Sequence, residues 1–538
     1  MPKDCLSYKE TNYFTNLIID YLDENEALKP FYNRFPMLDN FKAQIEEKQA
    51  YFLTEKRAVL VRELKGQYEK LEVSESVSKN IESFSQENTF SVTTGHQLNL
   101  FTGPLYFLYK IVSAINLASE LKEKYSEYNF VPVYWMATED HDFEEINFFN
   151  LNGKKFKWHS KQPGAGKDAV GNLNTDGLDE VFKLFSAEIG NSKNAEKLKS
   201  LFKKAYLGHS NLTDATFFLA NELFKDYGLV ILDGNNKNLK REFLPYMKQE
   251  LTEQISYKTT GPITGNLKEL GYGVQVNPRE INLFYLANGL RERIIEQEGR
   301  YFVNTTEISW SREEILGELS KNPERFSPNV MLRPLYEEVI LPNLCYIGGG
   351  GELAYWFELK EFFEAVNIPF PILLLRNSAL IETDRQNQKR QKLDISQAEL
   401  FLKQHELINR KVRKISNIDI DFTPQKEHLV QQFQSMYTLA EQTDKSFLNA
   451  VKAQEVKQLK GLDHLEKRLL KAQKRKLKDE VSRITALQNE LFPNTSLQER
   501  QVNFSEMYLE YGEDLIPVLI ENLNPLELQF KIITFGKE

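Results

Sequence analysis

Three short segments of this sequence combine residue types that could bind a nucleotide or move a proton. The first contains Gly95, His96 and Gln97, and Thr102 and Gly103 follow at the predicted start of a helix. In a parallel sheet, the loop after a strand opens onto the carboxyl edge, where helix N-termini offer N–H groups to phosphates. A nucleotide could therefore bind in this segment. Alternatively, the glycines serve a tight turn and His96 caps or packs.

The second segment is acidic and follows a predicted strand at residues 131–136. It contains Glu139, Asp140, His141 and Asp142. Carboxylates and an imidazole at the end of a strand can hold Mg²⁺, take a proton from an incoming amine, or orient an ammonium group. The alternative is a solvated acidic turn that caps a helix.

The third segment is a run of four glycines that begins with Gly348, Gly349 and Gly350 and ends just before Glu352. Such a run lets the backbone approach a ligand closely and can form an anion-binding nest. We take Glu352 as a candidate catalytic residue that reaches a hydroxyl or an ammonium group there. The alternative is a flexible hinge.

Two arginines near the glycine run could clamp a carboxylate or a phosphate. Arg333 precedes a proline, and Arg376 follows a predicted strand. Both could equally be partners in structural ion pairs. We take Arg333 and Arg376, together with Tyr355 and Trp356 after the glycine run, as candidate substrate-binding residues.

A Rossmann-like sheet with insertions is the fold that would position these segments. Thr102 is the expected N-cap of the helix after the first strand, with Pro104 in its first turn. A helix is expected over residues 352–365, and the insertions near residues 151–212 and 258–327. The alternation of apolar runs with a helical pattern indicates βαβ units and a parallel sheet. The strands are predicted at residues 90–94, 131–136, 229–232, 330–332, 344–347 and 372–375.

The composition changes after Arg376. Residues 380–491 contain one proline and one glycine and are rich in Lys, Gln, Glu and Leu, which indicates a long helical hairpin. Leucines at heptad spacing predict a coiled coil with a shift near Leu469. Alternating apolar residues over 526–532 predict a half-buried strand. We therefore expect a core over 1–380, a coiled-coil domain over 381–495, and a segment over 496–538 that packs back on the core.

The composition also excludes several classes of protein. The 68 Lys and Arg residues against 77 Asp and Glu residues give a net charge of −9, which argues against a nucleic-acid binder. Cys5 and Cys345 are the only cysteines and lie far apart in the sequence, so neither a disulfide framework nor a cysteine zinc site is expected. With no signal peptide and no long apolar stretch, we expect a cytoplasmic protein with no membrane contact.

Four ordered motifs carry a resemblance to a known family. The stretches TTGHQLNLFTGPLYFLYKI, VPVYWMATEDHDFEEIN, LRPLYEEVILPNLCYIGGGGELAYW and PILLLRNSALI precede the predicted coiled coil. In this order they resemble the BshC family, to which the cysteine-ligation step of bacillithiol biosynthesis is assigned. The resemblance implies a Rossmann-like nucleotidyltransferase core similar to class I aminoacyl-tRNA synthetases, with connective insertions and a coiled coil used for homodimerisation.

The same resemblance implies an ATP-dependent reaction, with Mg²⁺, that joins cysteine to the amine of glucosaminyl-malate. On this basis Gly95 to Gln97, Thr102 and Gly103 would hold phosphates, and the glycine run would line the nucleotide or amino-acid site. Asp140, His141 or Asp142 would act as base or Mg²⁺ ligand. The rival hypothesis is a non-catalytic nucleotide- or metabolite-binding protein whose coiled coil is an interaction platform.

Overall fold

The computed structural model of the protein describes residues 4–162 and 165–536. These residues divide into two compact units. The core unit is built mainly from Tyr13–Leu380 and Ser496–Ile533, and the helical unit mainly from Ile381–Thr495. In the described part of the chain, no helix is both long and apolar enough to span a membrane.

The strands of the described residues are short and lie mostly in the core unit. In chain order they are β1 Cys5–Leu6, β2 Thr89–His96, β3 Asn129–Met136, β4 Phe148–Leu151, β5 Lys154–Lys157, β6 Val230–Asp233, β7 Leu283–Ala287, β8 Leu290–Gln297, β9 Arg300–Val303, β10 Ser309–Trp310, β11 Phe326–Pro328, β12 Asn343–Gly348, β13 Ile372–Leu375, β14 Ala379–Thr383 and β15 Phe530–Phe535.

The α-helices before the helical unit are α1 Tyr8–Thr11, α2 Asn16–Leu22, α3 Phe41–Tyr51, α4 Thr54–Tyr68, α5 Glu75–Ser83, α6 Tyr106–Lys124, α7 Phe143–Ile146, α8 Leu178–Ile189, α9 Lys193–Phe202, α10 Leu212–Phe224, α11 Lys237–Glu242, α12 Leu244–Glu253, α13 Ile255–Glu269, α14 Arg312–Lys321, α15 Arg333–Ile340, α16 Gly350–Trp356 and α17 Lys360–Ala365. Those of the helical unit are α18 Asp384–Lys392, α19 Gln397–Leu400, α20 Gln404–Ile415, α21 Thr423–Ala440, α22 Lys445–Lys476 and α23 Lys478–Leu491, and those after it are α24 Gln498–Gln501, α25 Phe504–Tyr511 and α26 Leu515–Asn522.

A five-stranded parallel sheet forms the centre of the core unit. Its strand order is β13-β12-β2-β3-β6, and every neighbouring pair is parallel. The first strand of this sheet, β2, lies in its middle. The chain then adds β3 and β6 on one side of β2 and later adds β12 and β13 on the other side. This doubly wound order confirms the predicted Rossmann-like fold. It creates a topological switch point between β2 and β12, where ligands bind in such sheets.

Apolar side chains hold this sheet because parallel strands are covered on both faces. All eight residues of β2 are buried, and α6 crosses from β2 to β3 and packs against the sheet. Val92 of β2, Leu117 of α6 and Ile347 of β12 belong to one core cluster. The register pairs Thr94 with both Tyr134 and Ile347, so the strands end at one common edge.

Long segments interrupt the sheet on the side of β3 and β6. The chain between β3 and β6 contains the β4-β5 hairpin and helices α7 to α10. The chain between β6 and β12 contains a second, antiparallel sheet of order β10-β9-β8-β7-β11. Strand β8 of this second sheet contributes side chains to the site described below.

The helical unit contains the predicted hairpin. Helices α21 and α22 pack together with Phe433, Ala440 and Val451 buried at their contact. The long helix ends at Lys476, and α23 starts after Leu477. Three basic residues occupy the last turn of α22, where the helix dipole favours positive charge.

One predicted strand is wrong, and another was predicted to begin too early. Residues 330–332 form the turn before α15, because the Asn329 side chain accepts hydrogen bonds from the N–H groups of Met331 and Leu332; strand β11 ends earlier, at Pro328. Residues 526–529 precede the last strand, since Pro525–Glu527 is a 3-10 turn and Leu528 is left-handed with φ of 52°. The helix expected over 352–365 is divided into α16 and α17.

The prediction that Thr102 is the N-cap of α6 is also wrong. The helix begins at Tyr106 with Leu105 at the N-cap. Thr102 ends a 3-10 turn in a left-handed conformation, with φ of 68°. The reason is Phe101, which is fully buried and packs against the aromatic rings of Phe149, Phe185, Phe202 and Phe504. This packing keeps the loop before α6 in the protein interior.

Candidate functional site

A cavity of about 790 Å³ lies at the carboxyl edge of the parallel sheet. Its walls come from the ends of β2 and β3, the start of α16, strand β8 and the residue after β13. This is the switch point between β2 and β12, so the fold itself places a ligand-sized cavity where the chain's polar motifs converge. The predicted site residues that line it are Gly95, His96, Gln97, Asp140, His141, Arg333, Gly349, Gly350, Glu352, Tyr355 and Arg376.

Thr102 and Gly103 are not brought into this cavity. The Gly103 N–H donates to the Leu100 carbonyl, and the Leu105 N–H donates to the Val502 carbonyl at 2.8 Å. Pro104 has no N–H. The N–H groups of Gly103 and Leu105 are therefore already used within the protein.

Three further candidates lie outside the cavity lining. Asp142 is exposed, whereas Trp356 is fully buried and packs on Tyr346, so it is a core residue. Gly348 ends β12 and its carbonyl accepts a hydrogen bond from the Arg376 N–H at 2.9 Å. A Cβ on Gly348 would meet Glu352 at 3.0 Å, so this glycine permits close packing within the turn.

An ion pair lies in the wall of the cavity. The Lys110 ammonium is 2.5 Å from the Glu352 carboxylate and 2.6 Å from the Gly95 carbonyl. The same carboxylate accepts hydrogen bonds from the Gly349 N–H and the Tyr346 hydroxyl, both at 2.8 Å. Burial alone would raise the pKa of Glu352, but Lys110 and these hydrogen bonds lower it below its usual value. Glu352 is thus an ionised partner of Lys110 with its oxygens engaged.

His96 is held as a neutral imidazole. Burial, together with the positive charge of Lys110, lowers its pKa to about 3. Its Nδ1 lies 2.9 Å from the Gln97 carbonyl oxygen, so Nδ1 carries the proton and donates. Its Nε2 has no hydrogen-bond partner within the described residues and can only accept. The ring stacks on Tyr106 at 5.3 Å, which fixes its orientation.

Asp140 and His141 form a hydrogen-bonded group with residues from other elements. Asp140 accepts from the Gln97 side chain at 2.6 Å and from the His141 N–H at 2.7 Å. The Arg291 guanidinium lies 2.9 Å from His141 Nδ1 and 4.0 Å from the centre of the Phe284 ring. Although burial raises it, the pKa of Asp140 is held below its usual range by His141 and Gln97. Asp140 therefore stays ionised at neutral pH.

The two predicted arginines are oriented by buried carboxylates. Arg333 donates to Glu337 at 3.0 Å and to the Tyr355 hydroxyl at 2.7 Å. Arg376 donates to Glu499 at 2.7 Å, and its buried Nε has no hydrogen-bond partner among the described residues. Both arginines are structural ion-pair partners, and both also line the cavity; their binding of a ligand stays a prediction.

Several charged residues of the site carry no motif that would identify them from the sequence. Lys110 is a single charged residue within the apolar first half of α6. Arg279, Arg293 and Arg500 also line the cavity, and in the described ranges their side chains have no hydrogen bond or ion pair. These residues lie far apart in the sequence, so no local motif marks them as members of one site. Only the topology of the fold brings them together.

The cavity lining carries an excess of positive charge. Seven Lys and Arg side chains line it against three Asp and Glu side chains. Guanidinium groups without a carboxylate partner bind carboxylates and phosphates through charge-assisted hydrogen bonds. The arrangement is suited to a ligand with several anionic groups. The described residues include no group of three His, Cys, Asp or Glu side chains placed to hold a metal ion.

Comparisons with known proteins match the whole chain. The family model "Bacillithiol biosynthesis BshC, N-terminal Rossmann-like domain" matches residues 1–377, and "Bacillithiol biosynthesis BshC, C-terminal coiled-coil domain" matches residues 379–535. Two relatives carry the name "Putative cysteine ligase BshC". The one from Christiangramia forsetii is 68% identical over 100% of both chains. The one from Flavobacterium johnsoniae is 60% identical over 99% of this chain and 100% of its own.

A solved structure also aligns with the chain. Its title names a "putative arginyl t-RNA synthetase" from Campylobacter jejuni, and the alignment covers 81% of this chain and 93% of that chain at 11% identity. The TM-score is 0.20, which is too low to support an argument about the fold.

Proposed function

Because this chain belongs to the BshC family, we propose that it is the ligase that adds cysteine to the amine of glucosaminyl-malate in bacillithiol biosynthesis, using ATP. The product would be an amide between the cysteine carboxyl carbon and the sugar nitrogen. Forming an amide from a free carboxylate at neutral pH is uphill, so the carboxyl oxygen must first be converted into a leaving group. ATP would supply the group that activates it.

One observation carries this proposal. Arginines without carboxylate partners, Arg279, Arg293 and Arg500, line a cavity at the switch point of a doubly wound sheet. The proposed ligands are anionic: ATP has three phosphates, glucosaminyl-malate has two carboxylates, and cysteine has one. A cavity with this charge would bind them through charge-assisted hydrogen bonds.

The residues at the cavity suit ATP in two further respects. Gly349 has no Cβ where one would lie 3.8 Å from Arg376 Nε, so a ligand oxygen can approach this unpartnered donor. The neutral His96 accepts hydrogen bonds and is suited to a hydroxyl or amine of a ligand, not to a phosphate oxygen. Arg376, Arg333 and the glycine turn would hold phosphates or carboxylates. No residue is assigned to Mg²⁺, which would enter with the nucleotide.

Asp140 is the residue we assign to the attacking amine. Because Asp140 remains ionised and is fixed by Gln97, it can accept a hydrogen bond from the amine and stabilise the positive charge that develops on nitrogen during attack. His141 lies beside it and shares Arg291. Glu352, which the sequence suggested as a catalytic group, is already committed to Lys110.

The test is a reconstituted reaction of the purified full chain with cysteine, glucosaminyl-malate and ATP with Mg²⁺, followed by mass spectrometry of the thiol product. We expect Asp140→Asn to reduce the rate by about a hundredfold or more. Asp142→Asn is the matched control, because Asp142 is exposed and does not line the cavity, and its rate should stay within about threefold of the parent.

A deletion strain protects this test against a missing partner protein. If the activity is correct, deletion of the gene should abolish bacillithiol and accumulate glucosaminyl-malate, and complementation should reverse both. An unchanged thiol pool would contradict the proposal. If the purified protein binds ATP and glucosaminyl-malate but forms no product, and the deletion leaves bacillithiol unchanged, the hypothesis of a non-catalytic binding protein is supported instead.

We also propose that the protein acts as a homodimer in the cytoplasm, with the helical unit as the contact. Large apolar side chains are exposed on α21 and α22, including Leu439, Phe447 and Leu465. A second copy would remove them from water. Light scattering after size-exclusion chromatography should give twice the 62.7 kDa chain mass, and a monomer mass would contradict the proposal.

A further inference from the structure

The chain returns to the core unit after the coiled coil through a short segment, residues 498–503, which we call the return segment. Its first anchor is Glu499, which is fully buried. Glu499 accepts hydrogen bonds from Arg376 at 2.7 Å, from the Ser378 hydroxyl at 3.2 Å and from the Ala379 N–H at 3.1 Å. One end of the return segment is thereby attached directly to an arginine of the cavity.

The second anchor is at the other end of the segment. The buried Asn503 side chain donates to the carbonyls of Phe101 and Gly103 at 2.7 and 2.6 Å. The Val502 carbonyl accepts from the Leu105 N–H, and the Asn503 N–H donates to the Asn150 carbonyl at 3.1 Å. The loop before α6, which we expected to bind phosphate, serves here as the attachment for this segment.

Arg500 lies between the two anchors and contacts two cavities. It lines the main cavity and also an adjoining cavity of about 390 Å³, and Gln97 and Tyr106 line both as well. The Arg500 side chain is exposed, and the anchors on both sides fix the backbone that carries it. Its guanidinium has no hydrogen bond or ion pair anywhere in the described chain.

The adjoining cavity has polar walls of its own. Asn99 is buried, and its Oδ1 has no hydrogen-bond partner in the part of the chain that the structure describes. Asn150 and Glu145 lie in the same wall. A buried acceptor without a partner costs free energy unless a ligand or water satisfies it. The cavity is thus suited to a polar ligand that continues from the main cavity past Arg500.

We propose that Arg500 is an anion-binding residue at the junction of the two cavities, where it holds a phosphate or carboxylate of a ligand that spans both. Which ligand this is rests on the proposed function; the anion site itself does not. The shared chemistry is a cluster of anionic oxygens, from either a nucleotide or the carboxylate-bearing acceptor.

Titration calorimetry on the full chain tests this inference without requiring turnover. The ligands are ATP, glucosaminyl-malate, and two simpler probes, inorganic pyrophosphate and malate. The ligands form two pairs of related chemistry: ATP and pyrophosphate carry phosphates, and glucosaminyl-malate and malate carry carboxylates. We expect Arg500→Gln to weaken the binding of both members of at least one pair by about tenfold or more. The matched control is Arg62→Gln, since Arg62 is 64% exposed and lines neither cavity.

The outcomes separate the two proposals. Weakening of the phosphate pair alone assigns Arg500 to the nucleotide, and weakening of the carboxylate pair alone assigns it to the acceptor. If the parent binds these ligands and Arg500→Gln binds them equally well, the inference is overturned, as it is if the parent binds none of the four. If binding depends on Arg500 but the deletion strain keeps its bacillithiol, the proposed function fails and the anion site stands.

Discussion

Replacing Glu352 by glutamine should lower the stability of the core unit, because the structure assigns Glu352 to Lys110 and not to the reaction. The Lys110 side chain is 5% exposed and the Glu352 side chain 26% exposed. In Glu352→Gln the amide has one accepting oxygen in place of two, so it can accept from the Gly349 N–H or from the Tyr346 hydroxyl but not from both. The Lys110 ammonium would lose its carboxylate partner, and the Gly95 carbonyl cannot balance its charge.

The expected magnitude follows from this loss. Removing one partner of a buried ion pair costs about 3–5 kcal/mol, because the remaining charge stays buried without compensation. Glu352 is partly open to the cavity, so we expect about 3 kcal/mol. The pKa of Glu352 is lowered in the folded protein, so this stabilisation is present above a pH of about 4.3 and is lost as the pH falls through the folded pKa.

The assay is urea unfolding of four proteins: the parent, Glu352→Gln, Lys110→Met and the double variant. We expect the double variant to be about 2 kcal/mol more stable than the sum of the single effects predicts, because it leaves no unpaired charge. Glu361→Gln, at an exposed position of α17, should change the stability by less than about 0.5 kcal/mol.

One result would refute this reasoning. If Glu352→Gln unfolds like the parent, shows no coupling to Lys110, and yet forms product about a hundredfold more slowly, Glu352 is a catalytic group as the sequence suggested. Loss of stability with coupling to Lys110 supports the assignment made here.

Two further predictions concern pH and the loop before α6. Burial raises the pKa of Asp233 to about 6, so the unfolded chain releases this proton at lower pH than the folded one, and the contribution of Asp233 to stability should fall as the pH rises from about 4 to 6. Asp233→Asn should therefore gain stability relative to the parent over this range and be more stable by about 2–3 kcal/mol at pH 7.5, measured by urea unfolding of both proteins. Gly103→Ala should lose about 2 kcal/mol in urea unfolding, since Gly103 has φ of 63° and a Cβ would lie 2.7 Å from Asn99 Cβ. Thr102→Val should be neutral or stabilising because the Thr102 hydroxyl is buried without a partner among the described residues, and it should not alter ATP affinity in calorimetry because Thr102 lines neither cavity.

Much of the fold could be predicted from the sequence, because strands of a parallel sheet are buried on both faces and read as continuous apolar runs. Strands β3, β12 and β13 are such runs. The run at residues 330–332 misled because it is equally apolar, but the Asn329 side chain accepts hydrogen bonds from the N–H groups of Met331 and Leu332 and holds the run in a turn before α15. The last strand was predicted too early for a related reason: the alternation over 526–529 is real, but Leu528 adopts a left-handed conformation.

The candidate site could be predicted only where a motif directly follows a strand. Gly95, Asp140 and Gly349 fulfil this condition, and the common edge of the sheet brings them together. Lys110 and Arg500 do not. Each is a single charged residue in a helix, and its role depends on packing between segments that are distant in the sequence. Thr102 is the opposite case: its motif predicted a site residue, but it does not line the cavity. The neighbouring Phe101 packs in the protein interior and holds this loop there.

The electrostatics of the site differ from those of the chain as a whole. The chain carries a net charge of −9, yet seven cationic side chains line one cavity. A cleft of one sign with low-dielectric walls focuses its field and raises the local concentration of oppositely charged ligands. Within it, Lys110 is neutralised by Glu352, while Arg279, Arg293 and Arg500 keep their charge available. The cationic side chains therefore divide into those that build the site and those left to bind, and the second group should account for the salt dependence of ligand affinity.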